Sequence, residues 1–334
     1  MKISGIFIAL LLLFTLVACD QGTPSRPTVV TDQCTNIATT SLTAHGTITG
    51  ENITRRGFYY GTSSLYGLNF DGTEDFVQFP QGSQPTGAFT LAIWCKPTSW
   101  DHTTYPGLFG GTGLMSYASG LSGISITRYQ TSLVFDVADG TNATRRTMSP
   151  SITDIAPVGQ WSFIVLTNSG VAAAGGLKLY RNNAVPVGNT TGAATVRWSE
   201  NYTRLGRSQW GGGYFKGIIG EVRIYDRALN ATEIQALYHG QDVTGSLRGY
   251  WKLDEGAGTI AYDSSGHGNN GILFNGPVWF IGGSSVSETG NFGSGAYSLD
   301  ITGLVPNTWY RIMAFAENGL GTGYGNVVTY KTPA

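Results

Sequence analysis

The sequence predicts an all-β protein built from two β-sandwiches. Glycine contributes 48 of the 334 residues, while charged residues make up only 12% and aromatic residues 12%. This mixture is typical of many short strands joined by tight turns. Small or apolar residues also alternate with polar ones at 42–48 and at 297–301, near the two ends of the chain. Such a period of two is typical of strands with one buried face, and a chain of this length has room for two domains.

Composition and charge exclude two classes of protein. Apolar residues reach 41% and the net charge is only -1, so the chain is not intrinsically disordered. The same near-neutral charge supplies no positive surface for DNA or RNA. We therefore expect a folded protein with no nucleic-acid partner.

The first residues have the pattern of a signal peptide. An apolar run at 6–17 follows Lys2, and at about 12 residues it is too short to cross a bilayer. It ends in Leu-Val-Ala followed by Cys19, which resembles the lipobox of bacterial lipoproteins. The resemblance implies lipidation of Cys19, with two or three acyl chains anchoring the protein stably. We expect a signal peptide at 1–18, a tether at 19–27 and a lipid-anchored location in the bacterial cell envelope, facing outside the cytoplasm. An ordinary secretory signal with an accidental cysteine is the alternative.

The two ends of the mature chain are predicted to form one domain. Residues 28–64 carry three strand patterns, and residues 282–334 carry the remainder of a sandwich. The spacing from Leu304 to Tyr310 resembles the tyrosine corner of fibronectin type III-like (Ig-like) sandwiches. This resemblance implies a hydrogen bond between the Tyr310 hydroxyl and upstream backbone. We predict a fibronectin type III-like domain split by an insertion after Ser64; two separate flanking β-segments are the alternative.

The inserted region, residues 65–281, carries a denser series of motifs. They lie at 68–77, 89–97, 159–165, 177–182 and 217–229. Their order resembles the laminin G-like, concanavalin A-like jelly roll, which consists of two packed antiparallel sheets. We therefore expect a laminin G-like domain over residues 65–281.

One helix follows the last of these motifs. Asn230 and Glu233 have the spacing of a capping box, and Ile234 and Leu237 begin an apolar stripe. After the helix, residues 249–271 resemble the segment that usually begins laminin G-like domains. The domain is therefore either circularly permuted, which we favour, or followed by an incomplete second copy.

Two glycine-rich loops, at 71–75 and 263–270, are rich in side-chain oxygens. Calcium takes six to eight oxygen ligands, and the laminin G-like resemblance implies a structural calcium in some members. The candidate calcium ligands are Asp71, Asp75, Asp263 and Glu221. The alternative is that these Asp-Gly and Asn-Gly pairs form turns without a metal.

Acidic residues do not follow the pattern of the related glycosidases, which need two carboxyl groups facing one cleft. Glu221 and Asp226 are an odd number of residues apart, so on one strand they point to opposite faces. Asp136 and Asp139 fail the same test. We therefore expect that the protein is not an enzyme.

Aromatic residues in loops rich in glycine, serine and threonine suit sugars, because rings pack on C–H faces while polar groups set the orientation. The candidate ligand-binding residues are Trp100, Trp198, Trp210 and Tyr214. The alternative is that such rings fill the core. We expect a cell-surface protein that recognises an extracellular carbohydrate or glycoconjugate. Protein–protein adhesion or a structural envelope role is the first alternative, and a glycosidase-like enzyme is the second.

Cys34 and Cys95 fall in the two predicted domains, which disfavours a disulfide between them. Cys95 is interpreted as a small core residue. A bridge in an oxidising compartment stays open at this point.

Overall fold

The computed structural model describes residues 25–100, 106–110, 122–139, 145–198, 201–208 and 213–334. In this part the chain is nearly all-β. The strands are β1 (Thr28–Thr31), β2 (Ser41–Thr49), β3 (Ile53–Gly61), β4 (Tyr66–Asp71), β5 (Phe76–Pro80), β6 (Phe89–Ser99), β7 (Gly107–Gly110), β8 (Ser122–Tyr129), β9 (Ser132–Asp139), β10 (Arg146–Met148), β11 (Ser162–Asn168), β12 (Leu177–Arg181), β13 (Pro186–Thr190), β14 (Tyr202–Leu205), β15 (Lys216–Tyr225), β16 (Leu247–Trp251), β17 (Ile260–Ala261), β18 (Gly271–Phe274), β19 (Val278–Ile281), β20 (Ser284–Phe292), β21 (Gly295–Thr302), β22 (Trp309–Asn318) and β23 (Gly321–Lys331). The helices are α1 (Ile152–Ile155), α2 (Ala231–Tyr238) and the single 3-10 turn Gln81–Ser83.

Strands β4 to β19 form a sandwich of two antiparallel sheets, here called the central sandwich. Sheet I has the order β10-β9-β8-β7-β14-β5-β18-β17, and sheet II has the order β13-β12-β11-β6-β15-β4-β19 with β16 also paired to β15. The alternation within strands places one face of each sheet inward. Val77 and Phe79 of β5, for example, meet Ile93 and Trp251 in the core between the sheets.

The strands that follow α2 complete these same two sheets. Residues 216–219 of β15 pair with β4, and residues 222–225 pair with β16, so β16 extends the row that β4 begins. Strand β18 pairs with β5 of sheet I, and β19 pairs with β4 of sheet II. Residues 247–281 thus belong to the central sandwich itself, which favours the permuted order over an incomplete second copy.

Strands from the two chain ends form a smaller sandwich, here called the terminal sandwich. Its sheets have the orders β1-β2-β21 and β20-β3-β22-β23. β2 pairs with β21 over eight residues, from Ser41 opposite Thr302 to Ile48 opposite Gly295. The predicted contact of Tyr310 is present, since its hydroxyl accepts a hydrogen bond of 2.9 Å from the Val305 backbone N–H.

The two cysteines lie in different cores. Cys34 is buried in the terminal sandwich and Cys95 in the central one, and both are free thiols. The alternative of a Cys34–Cys95 disulfide is therefore wrong, because each side chain is enclosed by a separate hydrophobic core. The interpretation of Cys95 as a core residue is confirmed, since it is fully buried.

The predicted helix caps itself as expected. The Asn230 side chain accepts a hydrogen bond of 3.1 Å from the Glu233 N–H, and the Glu233 carboxylate accepts one of 2.9 Å from the Asn230 N–H. Ile234 and Leu237 of α2 then pack on the outer face of sheet II, in a cluster that includes Trp94. None of the described helices has the length and apolar character needed to cross a membrane.

The two sandwiches touch through a small apolar cluster. Leu65 and Tyr66, at the start of the central sandwich, pack on the fully buried Met313 of β22. The Tyr66 hydroxyl also donates a hydrogen bond of 2.7 Å to the Gly325 carbonyl of β23. This contact joins the point of insertion to the last hairpin of the chain.

Candidate functional site

An open cleft of about 670 Å³ lies at one end of the central sandwich, close to where β5 ends and β14 begins. Its described lining residues are Gln81, Gln84, Thr86, Thr195, Val196, Arg197, Trp198 and Arg248. Amides, hydroxyls and guanidinium groups dominate this set, and no carboxylate is among these described lining residues. We call it the Trp198 cleft.

Trp198 is held rigidly in the wall of this cleft. It is half-buried and packs against the core between the two sheets. Its indole N–H donates a hydrogen bond of 2.7 Å to the Pro85 carbonyl, which fixes the orientation of the ring. The ring can therefore receive a ligand without losing side-chain freedom on binding.

The 3-10 turn after β5 positions the glutamines of the cleft. The Ser83 hydroxyl donates to the Pro80 carbonyl over 2.7 Å and lies 3.0 Å from the Thr203 hydroxyl. The Gln84 amide donates a hydrogen bond of 3.0 Å to the Tyr202 carbonyl. These bonds tie the turn to β14, so this wall of the cleft is anchored on sheet I.

Arg248 separates the cleft from a second depression of about 230 Å³, to which His267 and Asn269 contribute. The Arg248 guanidinium donates a hydrogen bond of 2.9 Å to the Gly82 carbonyl and forms an ion pair of 2.5 Å with Asp226. Arg197, in contrast, is exposed, and we find no ion pair for it within the described part of the chain. The cleft thus contains two described guanidinium groups. That of Arg248 is neutralised by Asp226, whereas that of Arg197 is exposed and has no ion-pair partner among the described residues.

The other predicted ligand-binding residues are distributed differently. The prediction that Trp100 binds a ligand is not supported, because this side chain is only 6% exposed. Its indole N–H donates a hydrogen bond of 2.8 Å to the Ala156 carbonyl, and its ring packs edge-on against Phe215. It belongs to the core of the central sandwich, directly after the end of β6. Tyr214 is half-buried beside the Arg207 guanidinium, 5.2 Å from its ring centroid, and is not among the described residues of the cleft. Trp210 lies outside the described residues.

Several residues of this region escaped sequence reasoning. Gln81, Gln84 and Arg248 come from two distant segments without a local motif, so only the fold brings them together.

A second polar surface lies on the outward face of sheet I. There the Arg204 guanidinium lies 4.4 Å from the Tyr202 ring centroid and donates a hydrogen bond of 2.8 Å to the Tyr202 hydroxyl. The alternation of Tyr202 and Arg204 along β14 was the available signal for that surface.

Of the candidate calcium ligands, Asp71 and Asp75 accept hydrogen bonds from backbone N–H groups of their own loop. Asp75 accepts a hydrogen bond of 3.0 Å from the Asp71 N–H, and Asp71 accepts one of 2.6 Å from the Thr73 N–H. Burial raises the pKa of the Asp75 carboxyl, and the nearby Asp71 carboxylate adds to this effect.

Asp263 and Glu221 are engaged elsewhere. Asp263 accepts hydrogen bonds from the N–H groups of Tyr250, Ser265 and Asn269, at 2.9 to 3.0 Å. Glu221 faces the terminal sandwich, 3.4 Å from the Arg223 guanidinium. Across the described ranges, no group of three or more His, Cys, Asp or Glu side chains could hold a metal ion. The four carboxylates therefore do not fit one shared calcium site, and calcium binding stays a prediction of the sequence.

The acidic residues considered for catalysis are also paired. The buried Asp136 receives two hydrogen bonds of 2.8 Å from Arg145, and Asp226 is bound by Arg248. The side chain of Asp139 is outside the described part of the structure, as is Cys19.

Comparison with known families identifies the central sandwich. Residues 71–235 match the sequence model of the Laminin_G_3 family, described as the concanavalin A-like lectin/glucanases superfamily. Residues 71–235 form a concanavalin A-like domain. The matched range runs from the end of β4 into α2, so the strands β16 to β19, which complete the central sandwich, lie beyond it. Among the curated proteins, none matches the chain.

Two solved structures resemble the chain weakly. A native heptameric SAP-like pentraxin from Limulus polyphemus shares 13% identity, with a TM-score of 0.37 over 72% of this chain and 96% of that chain. Domain 4 of AbnA, an extracellular arabinanase from Geobacillus stearothermophilus in complex with arabinotriose, shares 18% identity, with a TM-score of 0.38 over 56% of this chain and 100% of that chain. At these TM-scores neither similarity carries an argument about the site of the concanavalin A-like domain.

Proposed function

We propose that this protein is a non-catalytic carbohydrate-binding lipoprotein of the bacterial cell envelope, and that it recognises its glycan in the Trp198 cleft. The observation that carries the proposal is the rigidly held, half-buried Trp198 ring in the wall of an open polar cleft. The superfamily of the concanavalin A-like domain includes both lectins and glucanases. The chemistry of the cleft favours the lectin-like role.

The physical match to a sugar has two parts. An indole face packs on the C–H groups of a pyranose ring, and this contact buries apolar area without requiring a charged ligand. The amide of Gln81 and the guanidinium of Arg197, both exposed, can then exchange hydrogen bonds with hydroxyl groups. A cleft of about 670 Å³ is within the usual range of 300–1,000 Å³ for ligand sites.

The rest of the chain would present this cleft to the outside. Acylation at Cys19 anchors the protein, the tether at 19–27 leads out of the membrane, and the terminal sandwich serves as a fibronectin type III-like spacer. The Tyr310–Val305 hydrogen bond supports the fibronectin type III-like assignment. Lipidation rests on the lipobox resemblance alone.

Replacing Trp198 by alanine tests the cleft. We expect the Trp198→Ala protein to lose at least tenfold in affinity for the glycans that the unaltered protein binds on a glycan array, because ring stacking supplies much of the contact. Trp279→Ala is the matched control, since Trp279 also packs on the core and donates its indole N–H, over 3.0 Å, to the Gly258 carbonyl. This control should bind glycans normally.

Two results would contradict the proposal. An array without any bound glycan, together with a specific protein partner, would favour adhesion through proteins. Release of sugars from any polysaccharide incubated with the purified protein would show catalysis instead.

The membrane anchor has its own test. We expect the chain to incorporate labelled palmitate in a bacterial host, and we expect Cys19→Ser to abolish both the label and the membrane association. Membrane association of the Cys19→Ser protein equal to that of the unaltered protein would contradict the anchor without bearing on the glycan site.

A further inference from the structure

A small polar cavity separates the two sandwiches on one side of their apolar contact. Its volume is about 150 Å³. Glu221, Arg223 and Tyr250 line it from the central sandwich, and Arg311 and Val327 line it from the terminal sandwich. Ligand sites often lie at such domain boundaries. We call it the interdomain cavity.

Two of its lining residues are arginines with almost no exposure: Arg223 is 4% exposed and Arg311 is 5% exposed. Burying a guanidinium is strongly unfavourable unless an anion and hydrogen bonds compensate it. Each of the two therefore needs a negative partner nearby.

Arg223 has such partners. Its Nη1 lies 3.0 Å from Asp242, and its Nη2 donates hydrogen bonds to the Tyr250 hydroxyl at 2.7 Å and to Glu221 Oε2 at 3.4 Å. Although burial opposes the charge, these neighbours raise the pKa of the Arg223 guanidinium above its ordinary value. Arg223 is thus a compensated cation.

Arg311 lacks an equivalent partner. The nearest carboxylate oxygen among the described residues is Glu221 Oε1, at 3.9 Å, and that carboxylate is shared with Arg223. Arg311 Nη2 also makes long hydrogen bonds of 3.5 and 3.4 Å to the carbonyls of Leu237 and Tyr238, and the guanidinium lies 5.0 Å from the Trp94 ring centroid. Burial lowers the pKa of the Arg311 guanidinium, and the distant Glu221 carboxylate, which acts in the opposite direction, does not outweigh it.

We propose that the interdomain cavity binds a carboxylate group and that Arg311 is its main partner. A guanidinium binds a planar carboxylate through two parallel hydrogen bonds. A dianion such as phosphate fits less well, because Glu221, Asp242 and Asp254 also line the cavity and would repel a second negative charge. The exposed Lys252 at the rim adds attraction for an anion. The carboxylate can belong to a small free acid or to an acidic sugar.

Thermal unfolding in sodium acetate, sodium glucuronate and sodium chloride at equal ionic strength and pH 7 tests this site. We expect a saturable rise in Tm of about 2–4 °C at ten times Kd in acetate or glucuronate, and no comparable rise in chloride. A response to glucuronate alone would assign the carboxylate to an acidic sugar. Arg311→Gln should remove the response, whereas the matched control Lys216→Gln, at an exposed residue of β15 that is not among the lining residues of the cavity, should retain it.

A rise in chloride as large as in acetate, no rise in either organic acid, or an undiminished rise in Arg311→Gln would overturn the proposal. If Arg311→Gln fails to fold, Val327→Phe fills the cavity without altering its charges, and a full acetate response in that variant would overturn the proposal as well. Trp198→Ala should keep the acetate response, so failure of the interdomain site and failure of the glycan cleft are distinguishable.

Discussion

At the scale of single residues, Asp263 shows how one carboxylate organises a loop. Besides the three backbone N–H groups, it accepts a hydrogen bond of 2.8 Å from the Ser265 hydroxyl. Burial disfavours its charged form, but these four hydrogen bonds together outweigh burial and lower the pKa of Asp263. The loop after β17 is thus held by a side chain that the sequence offered as a calcium ligand.

We expect Asp263→Asn to reduce the free energy of unfolding by about 1–3 kcal/mol at pH 7, because buried N–H groups lose an acceptor. A carboxyl whose pKa is lowered by folding stabilises the protein above its unfolded pKa of about 3.9, and this stabilisation is lost as the pH falls through the folded value. The difference between the two proteins should therefore shrink below about pH 4. Urea denaturation at pH 7 and pH 3.5 measures it, with the exposed Asp300→Asn as control. A constant difference at both values would contradict this role.

At the scale of secondary-structure elements, α2 links the two sandwiches. Its N-terminus is closed by the capping box of Asn230 and Glu233, and Glu233 also forms an ion pair with Arg227 at 2.7 Å. Its C-terminal carbonyls, of Leu237 and Tyr238, accept the hydrogen bonds of Arg311 from the terminal sandwich. A cation at this end is also favoured by the helix dipole.

We expect Asn230→Ala to destabilise the protein by about 1 kcal/mol, since the Glu233 N–H then loses its acceptor. Thermal and urea unfolding measure the change. The exposed Thr232, in the first turn of the same helix, provides the control. Thr232→Ala should change stability by less than about 0.5 kcal/mol. Equal effects of the two substitutions would mean that the cap does not contribute.

At the scale of the whole molecule, each sandwich has one buried free thiol in its core, Cys34 in the terminal sandwich and Cys95 in the central one. The reactivity of each thiol therefore measures the unfolding of its own sandwich. Burial raises the pKa of both Cys34 and Cys95 to about 12, so neither should form the reactive thiolate in the folded protein at pH 8. Because Met313 and Arg311 of the terminal sandwich are buried against the central one, we expect the two sandwiches to unfold together.

Thiol labelling in increasing urea, read by peptide mass spectrometry, tests this coupling in a Cys19→Ser background. Cys34 and Cys95 should remain unlabelled in the native state and become reactive at the same urea concentration. Labelling of Cys34 well before Cys95 would show that the terminal sandwich unfolds on its own.

Local patterns in the sequence were enough to predict the all-β class, the concanavalin A-like resemblance, the capping box and the Tyr310 contact. Each of these depends on residues close together in the chain, where strand alternation, turn chemistry and cap spacing act directly. The ligand-binding role of Trp198 comes from the same kind of signal, an aromatic residue in a loop of small polar residues, and it stays a prediction.

Only the tertiary structure decided which side chains meet. It buried Trp100, kept Cys34 and Cys95 apart, placed Arg248 in the same cleft as Trp198 and placed Arg311 close to Glu221. It also bonded Asp263 and Glu221 to other partners than the loop of Asp71 and Asp75. These relations join residues that lie far apart in the chain, and they depend on strand order and on sandwich packing. Because side-chain alternation fixes which face a residue takes but not which strand lies next to it, no local pattern could have specified them.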